Sequence, residues 1–309
     1  MWCHLLNISS NLNLYFMKKN VYFFILVLFW SQCFSQETGL EFKPVEFPPN
    51  YTAQLNITYT KVKEWEGKAD LYLNLDSKTP TPVIINIHGG GWNKGVKESQ
   101  TGFNTFFKAG YAVVNMEYRL SQQATAPAAI EDTRCMLIYL VEHAKDLNID
   151  PKKIVIMGGS AGGHLALMGG LLGNDRRFDN NCMTSKEIRV AAIIDKYGIT
   201  DVDDWSFGKL KSKSALQWLG SKIADKEFIK SVSPINYVTK NSPPVFIVHG
   251  DADPTVPYQQ SAYLYRKLQE MGVDSQFITV PGGLHGKFDK EKNREINTAI
   301  ITFLSKYVN

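Results

Sequence analysis

One stretch of this chain narrows its fold more than any other: "IVIMGGSAGGHLAL", from Ile154 to Leu167. A β-branched apolar run enters it, a helix-like pattern leaves it, and four glycines surround one serine. An apolar run ended by glycine reads as a buried strand. A serine on a sharp turn between that strand and a helix sits in a strained backbone, where a neighbouring Cβ would collide with strand or helix. The spacing G-x-S-x-G at Gly158–Gly162 therefore predicts that Ser160 stands exposed at the carboxyl end of a strand. The amide of Ala161 then points to where an oxyanion would form. The competing reading, a glycine-rich helix start or phosphate cradle, explains the glycines but not the serine between them.

The rest of the chain supplies a sheet for that strand. "TYTKVKEW" and "KADLYLNL" read as two strands joined by a turn at Glu66-Gly67. "PVIINIHGG", "YAVVNMEYRL", "KKIVIMGGS", "VAAIIDKYG", "PPVFIVHGD" and "SQFITVPGG" read as further strands. Helical patterns lie among them, in "GFNTFFKAG", "APAAIEDTRCMLIYLVEHAKDL" with Pro127 in its first turn, "AGGHLALMGGLL", "YQQSAYLYRKLQEMG" and "EKNREINTAIITFLSKYV". Strands alternating with helices imply an α/β fold with a mostly parallel twisted sheet covered on both faces. The opening hairpin makes one edge antiparallel. At 309 residues and 44% hydrophobic, the chain can form one large domain. The expected organisation is a leader over 1–36, an extension over 37–57 and a single domain over 58–309. The interval 201–234 breaks the rhythm and reads as a helical insertion, a partial lid. Its Trp205, Phe207 and Trp218 read as ordinary packing, with ligand contact from the lid as the lesser alternative.

The N-terminus reads as a targeting segment. Met17-Lys18-Lys19 opens a charged start, and Val21–Trp30 is a short apolar run. A secretory signal needs about 7–15 apolar residues and a spanning helix about 20. We expect export, with Met17 a possible start and cleavage near Gln36. Gln32 is large where a lipoprotein signal wants a small residue, so a lipid anchor at Cys33 is disfavoured. Cys3 and Cys33 would leave with the leader. Cys135 and Cys182 read as unpaired, although an oxidising compartment permits a disulfide. The net charge of +4 comes from scattered Lys and Arg, which is no nucleic-acid footprint. The run Asp201-Val202-Asp203-Asp204 reads as a solvated or helix-capping cluster, and no metal ligand set is visible.

A serine nucleophile needs a base, an orienting acid and oxyanion donors. "HGGGW", His88–Trp92, ends the first parallel strand, and its glycines offer Gly90 and Gly91 as amide donors. Trp92 reads as a wall of the site, with core packing as the alternative. Of six histidines, His4 lies in the leader, and His88 should brace the glycine loop with a buried ring. His143 should be exposed, and His164 should point away from the turn. His249 ends a strand. His285, in "PGGLHGKF" after the last strand, holds the place of the base in the order Ser, Asp, His. The acid should come from "HGDADPTVP". Asp253 is farther past the strand end and can reach His285, whereas Asp251 should tie the loop to backbone amides.

With "IHGGGW", "EYRLS", "PAAIEDTR", "NIDPKKIVIMGGSAGGHLA", "HGDADPTVPYQQS" and "GGLHGKF" in this order from Val83 to Phe288, the chain resembles an α/β-hydrolase. Within that fold it is similar to bacterial secreted carbohydrate esterases of the acetyl-xylan and feruloyl esterase kind, and to the wider hormone-sensitive-lipase-like group. The resemblance implies Ser160, Asp253 and His285 as triad, an oxyanion hole from the glycine loop plus Ala161, no cofactor, and an acylated carbohydrate as substrate. An amidase, formamidase or peptidase on the same fold, or a binding protein on a hydrolase scaffold, are the rival readings. One departure is the small segment "ATAPAAIED", where the group carries a bulky residue before the proline. It is expected to open the pocket floor.

Overall fold

The computed structural model describes residues 42–207 and 212–308, without the side chains of residues 206 and 207. The expected leader, with Met17, Cys33 and the cleavage near Gln36, lies outside the described residues, as does the side chain of Phe207.

Eight strands form one sheet in the order β1-β2-β4-β3-β5-β6-β7-β8. They are β1 (Tyr51–Val62), β2 (Trp65–Asn74), β3 (Thr81–Ile87), β4 (Ala112–Met116), β5 (Ile149–Gly159), β6 (Ala192–Lys196), β7 (Val245–Gly250) and β8 (Ser275–Val280). The pairs β1–β2 and β2–β4 are antiparallel, and every other pair is parallel. The antiparallel edge is thus two pairings wide. β1 also begins at Tyr51, ahead of the expected Thr58, so part of the expected extension is strand. The reason is local: a register shift between Gln54 and Ile57 breaks the alternation by which a strand is read.

The parallel strands are continuous apolar runs because helices cover both faces. All five residues of β4 and all six of β7 are buried. One apolar cluster packs under α2 (Ala128–Glu142), α3 (Ala161–Leu171) and α7 (Tyr258–Glu270). The other packs under α1 (Asn104–Lys108) and α8 (Lys290–Val308), which buries a stripe at Ile296, Ile300, Phe303, Leu304 and Val308. α3 is buried throughout, as the central helix must be. α2 stops at Glu142, short of the expected end, and is preceded by a cis peptide at Ala126-Pro127. The insertion after β6 holds α4 (Val202–Phe207), α5 (Lys213–Leu219) and α6 (Lys226–Ser231). Asp201 caps the first of these, accepting from the amides of Asp203 and Asp204 at 3.0 and 3.2 Å.

The two cysteines are joined, contrary to the unpaired reading. Cys135 on α2 and Cys182 form a disulfide with Cα atoms 5.3 Å apart. The loop after α3 folds back onto α2, where buried Arg134 donates to Asp179 at 2.7 Å and Asn181 donates to Glu131 at 2.9 Å. Those contacts bring Cys182 to its partner, and nothing in the local sequence around either cysteine specifies them. Opening a cross-link between residues 47 apart costs about 4 kcal/mol by chain entropy. Urea unfolding with and without reductant is expected to show a lower midpoint for the reduced protein.

Candidate active site

Parallel strands place their carboxyl ends on one side of the sheet, and the loops leaving β3, β5, β7 and β8 meet there. Ser160 follows β5 and precedes α3 with φ 59° and ψ −123°. The glycines around it answer a measurable crowding. A Cβ on Gly162 would lie 2.2 Å from the carbonyl oxygen of Ile87, at the end of β3. The strand-to-helix turn therefore closes only without that atom.

Ser160, His285 and Asp253 form a continuous hydrogen-bonded chain. The Ser160 hydroxyl lies 2.9 Å from His285 Nε2, and His285 Nδ1 lies 2.6 Å from Asp253 Oδ2. Asp253 Oδ1 accepts from the amides of Thr255 and Val256 at 2.7 and 3.0 Å. Burial alone would raise the Asp253 carboxyl, but hydrogen bonds from His249 and His285 hold it well below the usual carboxylate range. A carboxylate so held accepts from Nδ1–H of His285, which leaves Nε2 unprotonated toward the serine. Asp251 makes the other expected bond, accepting from the amide of Gly282 at 2.7 Å.

His249 belongs to this network, a role its sequence position did not suggest. Its Nε2 is 3.1 Å from both Asp253 Oδ2 and the carbonyl of Val256, and its Nδ1 is 2.7 Å from the Ser261 hydroxyl. The carbonyl can only accept, so Nε2 carries the hydrogen and Ser261 donates to Nδ1. His249 thus steadies the carboxylate from the side opposite His285. In "VFIVHGD" it hides as the polar end of a buried strand.

The glycine loop faces the same space. His88 is buried, stacks on Tyr118 with ring centres 4.3 Å apart and donates from Nδ1 to Gly89 O at 2.7 Å. The ring braces the loop from beneath, as expected. Gly90 has φ 114°, and a Cβ there would lie 2.0 Å from Lys94 O, so only glycine fits. The amides of Gly90 and Gly91 donate to no partner among the described residues, and both glycines line the cavity at Ser160. Ala161 provides the first amide of α3, which has no preceding turn to bond.

Trp92 does not wall the cavity. It is fully buried, stacks on Trp218 at 4.3 Å and meets His164 and Trp205 edge-on at 4.9 and 5.6 Å. The chain passes Trp92 at φ 58° and turns the indole under the insertion, which it anchors to the main body. Trp205, read first as packing and second as a ligand contact, both packs on Trp92 and lines the cavity, and its indole N–H donates to Thr255 O at 3.0 Å. The cavity, about 790 Å³, also takes Ser212 and Ser214 from the insertion. The small segment Ala124–Pro127 does not line it. Ala126 instead bonds through its amide to Trp218 O, at the base of the insertion. His164 is buried with Nε2 on Val232 O at 2.8 Å, away from the turn, and His143 is exposed.

The BD-FAE family model matches residues 69–268. The chain belongs to the BD-FAE family. This BD-FAE chain is similar to Esterase LipQ of Mycobacterium tuberculosis, 29% identical over 234 residues, or 72% of this chain and 55% of that protein. It spans about half the length of the first curated relatives it matches. Among solved structures it is similar to a truncated carbohydrate esterase from gut microbiota, with TM-score 0.75 and 29% identity, covering 84% of this chain and 97% of that one. It is also similar to an acetyl ester-xyloside bifunctional hydrolase from Caldicellulosiruptor lactoaceticus, with TM-score 0.69 and 25% identity, covering 79% and 89%. The BD-FAE domain is an α/β-hydrolase, and its relatives are ester hydrolases.

Proposed function

We propose that this chain is an exported serine esterase that removes acetyl or aromatic acyl groups from polysaccharide or oligosaccharide fragments. The observation that carries the reading is the chain of hydrogen bonds from the buried Asp253 side chain through His285 to Ser160, which lines a cavity together with Gly90 and Gly91, whose amides are unengaged among the described residues. His285 Nε2 takes the hydroxyl proton as Ser160 Oγ attacks the ester carbonyl. Asp253 holds the ring in its tautomer and balances the imidazolium without taking the proton. The amides of Gly90, Gly91 and Ala161 receive the oxyanion, each such donor contributing about 10²–10³ in rate. The imidazolium of His285 then gives its proton to the sugar oxygen as its bond to the acyl carbon breaks, so the sugar leaves as a hydroxyl, and water releases the acyl group by the same route. Each step uses side chains and amides of the chain itself.

Carbohydrate as the carrier is supported by the carbohydrate esterase and acetyl ester-xyloside hydrolase likenesses. Export is supported by the charged and apolar N-terminal pattern and by the Cys135–Cys182 disulfide, a bond typical of oxidising compartments. The test assays 4-nitrophenyl acetate beside acetyl 4-nitroanilide, then identifies the acid released from acetylated xylan and feruloylated oligosaccharides. Ester turnover with release of acetate or ferulate is expected. Amide turnover without ester turnover would overturn the reading.

A further inference from the structure

The cavity at Ser160 carries a charge that ester hydrolysis does not use. Lys196 and Lys94 line it, and no Asp or Glu is among its described lining residues. Lys196 is the last residue of β6 and pairs with Gly159 of β5, one residue before the nucleophile. Its carbonyl accepts the Ser160 amide at 2.9 Å, so its backbone is fixed against the elbow. The side chain is partly buried, and neither it nor the Lys94 side chain has a hydrogen-bond or ion-pair partner among the described residues.

A second lysine shows how this protein otherwise treats a buried ammonium. Lys97, more deeply buried than Lys196, is held by Asp70 at 2.9 Å and Glu98 at 2.5 Å. Taking a cation out of water without a partner is costly, and a carboxylate usually offsets it. Lys196, which lines the cavity, has no such carboxylate partner among the described residues. Burial pushes its ammonium down to about 8, which leaves it mostly charged at neutral pH. An oxyanion received by amides needs no help from such a cation, so its work lies with a part of the substrate that does not react.

We infer that Lys196, with Lys94 at the rim, forms an anion subsite beside Ser160, and that the preferred substrate is an acyl ester on an acidic saccharide. The anion is an oxygen group fixed to the sugar, either a uronic acid carboxylate or a sulfate ester. This inference rests on the esterase reading of Ser160 and narrows its substrate. Lys196 acts in binding, so its effect falls on KM and on competitive inhibition more than on kcat.

The experiment measures kcat/KM for acetate release from acetylated xylo-oligosaccharides with and without a glucuronic acid branch, for wild type, Lys196→Met and Lys196→Arg. Glucuronate, galactose 6-sulfate and neutral glucose are compared as competitive inhibitors and as calorimetric ligands. The wild type is expected to favour the acidic oligosaccharide by about tenfold or more, chiefly through KM, with the preference shrinking as salt rises. Lys196→Met should remove the preference and weaken binding of the acidic sugar, and Lys196→Arg should retain most of both. Tighter binding of the sulfated sugar than of glucuronate supports the subsite and identifies its anion as sulfate. Equal handling of acidic and neutral sugars by the wild type overturns the subsite, as does a preference that survives Lys196→Met. Neither result touches the esterase reading, which stands or falls on 4-nitrophenyl acetate turnover.

Discussion

Replacing Ser160 with alanine is expected to lower kcat for 4-nitrophenyl acetate by about 10⁶-fold. The substitution removes one oxygen, which is at once the attacking atom and the donor to His285 Nε2 at 2.9 Å. His285 is 23% exposed on its side chain, so water can replace the lost partner and the fold should hold. The thermal midpoint should therefore change little while turnover collapses. Residual turnover of about 10³–10⁴ over water is expected from the oxyanion donors alone. Steady-state kinetics beside a thermal melt separates this outcome from misfolding. A variant that melts normally and turns over like the wild type would refute the proposed nucleophile.

Replacing Asp253 with asparagine should cost about 10⁴-fold in kcat and, unlike the serine variant, should also destabilise the protein. Every acceptor position of this carboxylate is taken by a donor: two backbone amides on Oδ1, and His285 and His249 on Oδ2. An amide group brings two hydrogens of its own. In one orientation they face the imidazole N–H groups, and in the other the amides of Thr255 and Val256. The first orientation drives the His285 hydrogen to Nε2, where it blocks proton transfer from Ser160. The sign of the pH effect follows from the lowered Asp253 pKa. Its contribution to stability is complete above the unfolded value of about 3.9 and is lost as pH falls through the folded value. The gap between wild type and Asp253→Asn should thus be full at neutral pH and narrow toward strong acid. Denaturant unfolding at several pH values checks it, and a gap that widens on acidification would contradict the assignment.

The parts of this molecule that were legible in its sequence are those whose constraint is local. Gly158 announces the elbow because the clash it avoids is with Gly162, four residues on, whereas the clash Gly162 avoids is with Ile87 and His88 at the end of the neighbouring strand and shows in the sequence only through the G-x-S-x-G spacing. The apolar runs of β3 to β7 announce a sheet covered on both faces because each strand must bury both sides. His285 and Asp253 could be chosen because chain order and strand ends limit what can reach a nucleophile. What stayed hidden depends on distant partners. Trp92 follows the glycine loop and so suggested a cavity wall, yet the insertion supplies Trp218 and draws the indole into the core. Cys135 and Cys182 meet only because the loop after α3 folds back on α2 through Arg134 and Asp179. His249 is silent in "VFIVHGD" until Asp253 turns back toward it. Lys196 looks like any strand-end lysine until the described residues around it are found to hold no carboxylate for it. Tyr51 does not read as the start of the sheet because a register shift in β1 hides the strand's period.

The backbone at Ser160 has a consequence for evolution and engineering. At φ 59° and ψ −123° the residue occupies a conformation that a side chain disfavours by about 1–3 kcal/mol and glycine adopts freely. Ser160→Gly should therefore raise stability, by about 1 kcal/mol after allowing for the looser unfolded chain. That variant would lack the hydroxyl proposed as nucleophile and is expected to keep only the residual turnover of the Ser160→Ala protein. Selection for heat resistance alone, with no demand for turnover, would be expected to drift toward an inert protein at this position. With Ser160 as the nucleophile, any programme to harden this scaffold without losing turnover has to gain its stability elsewhere in the fold.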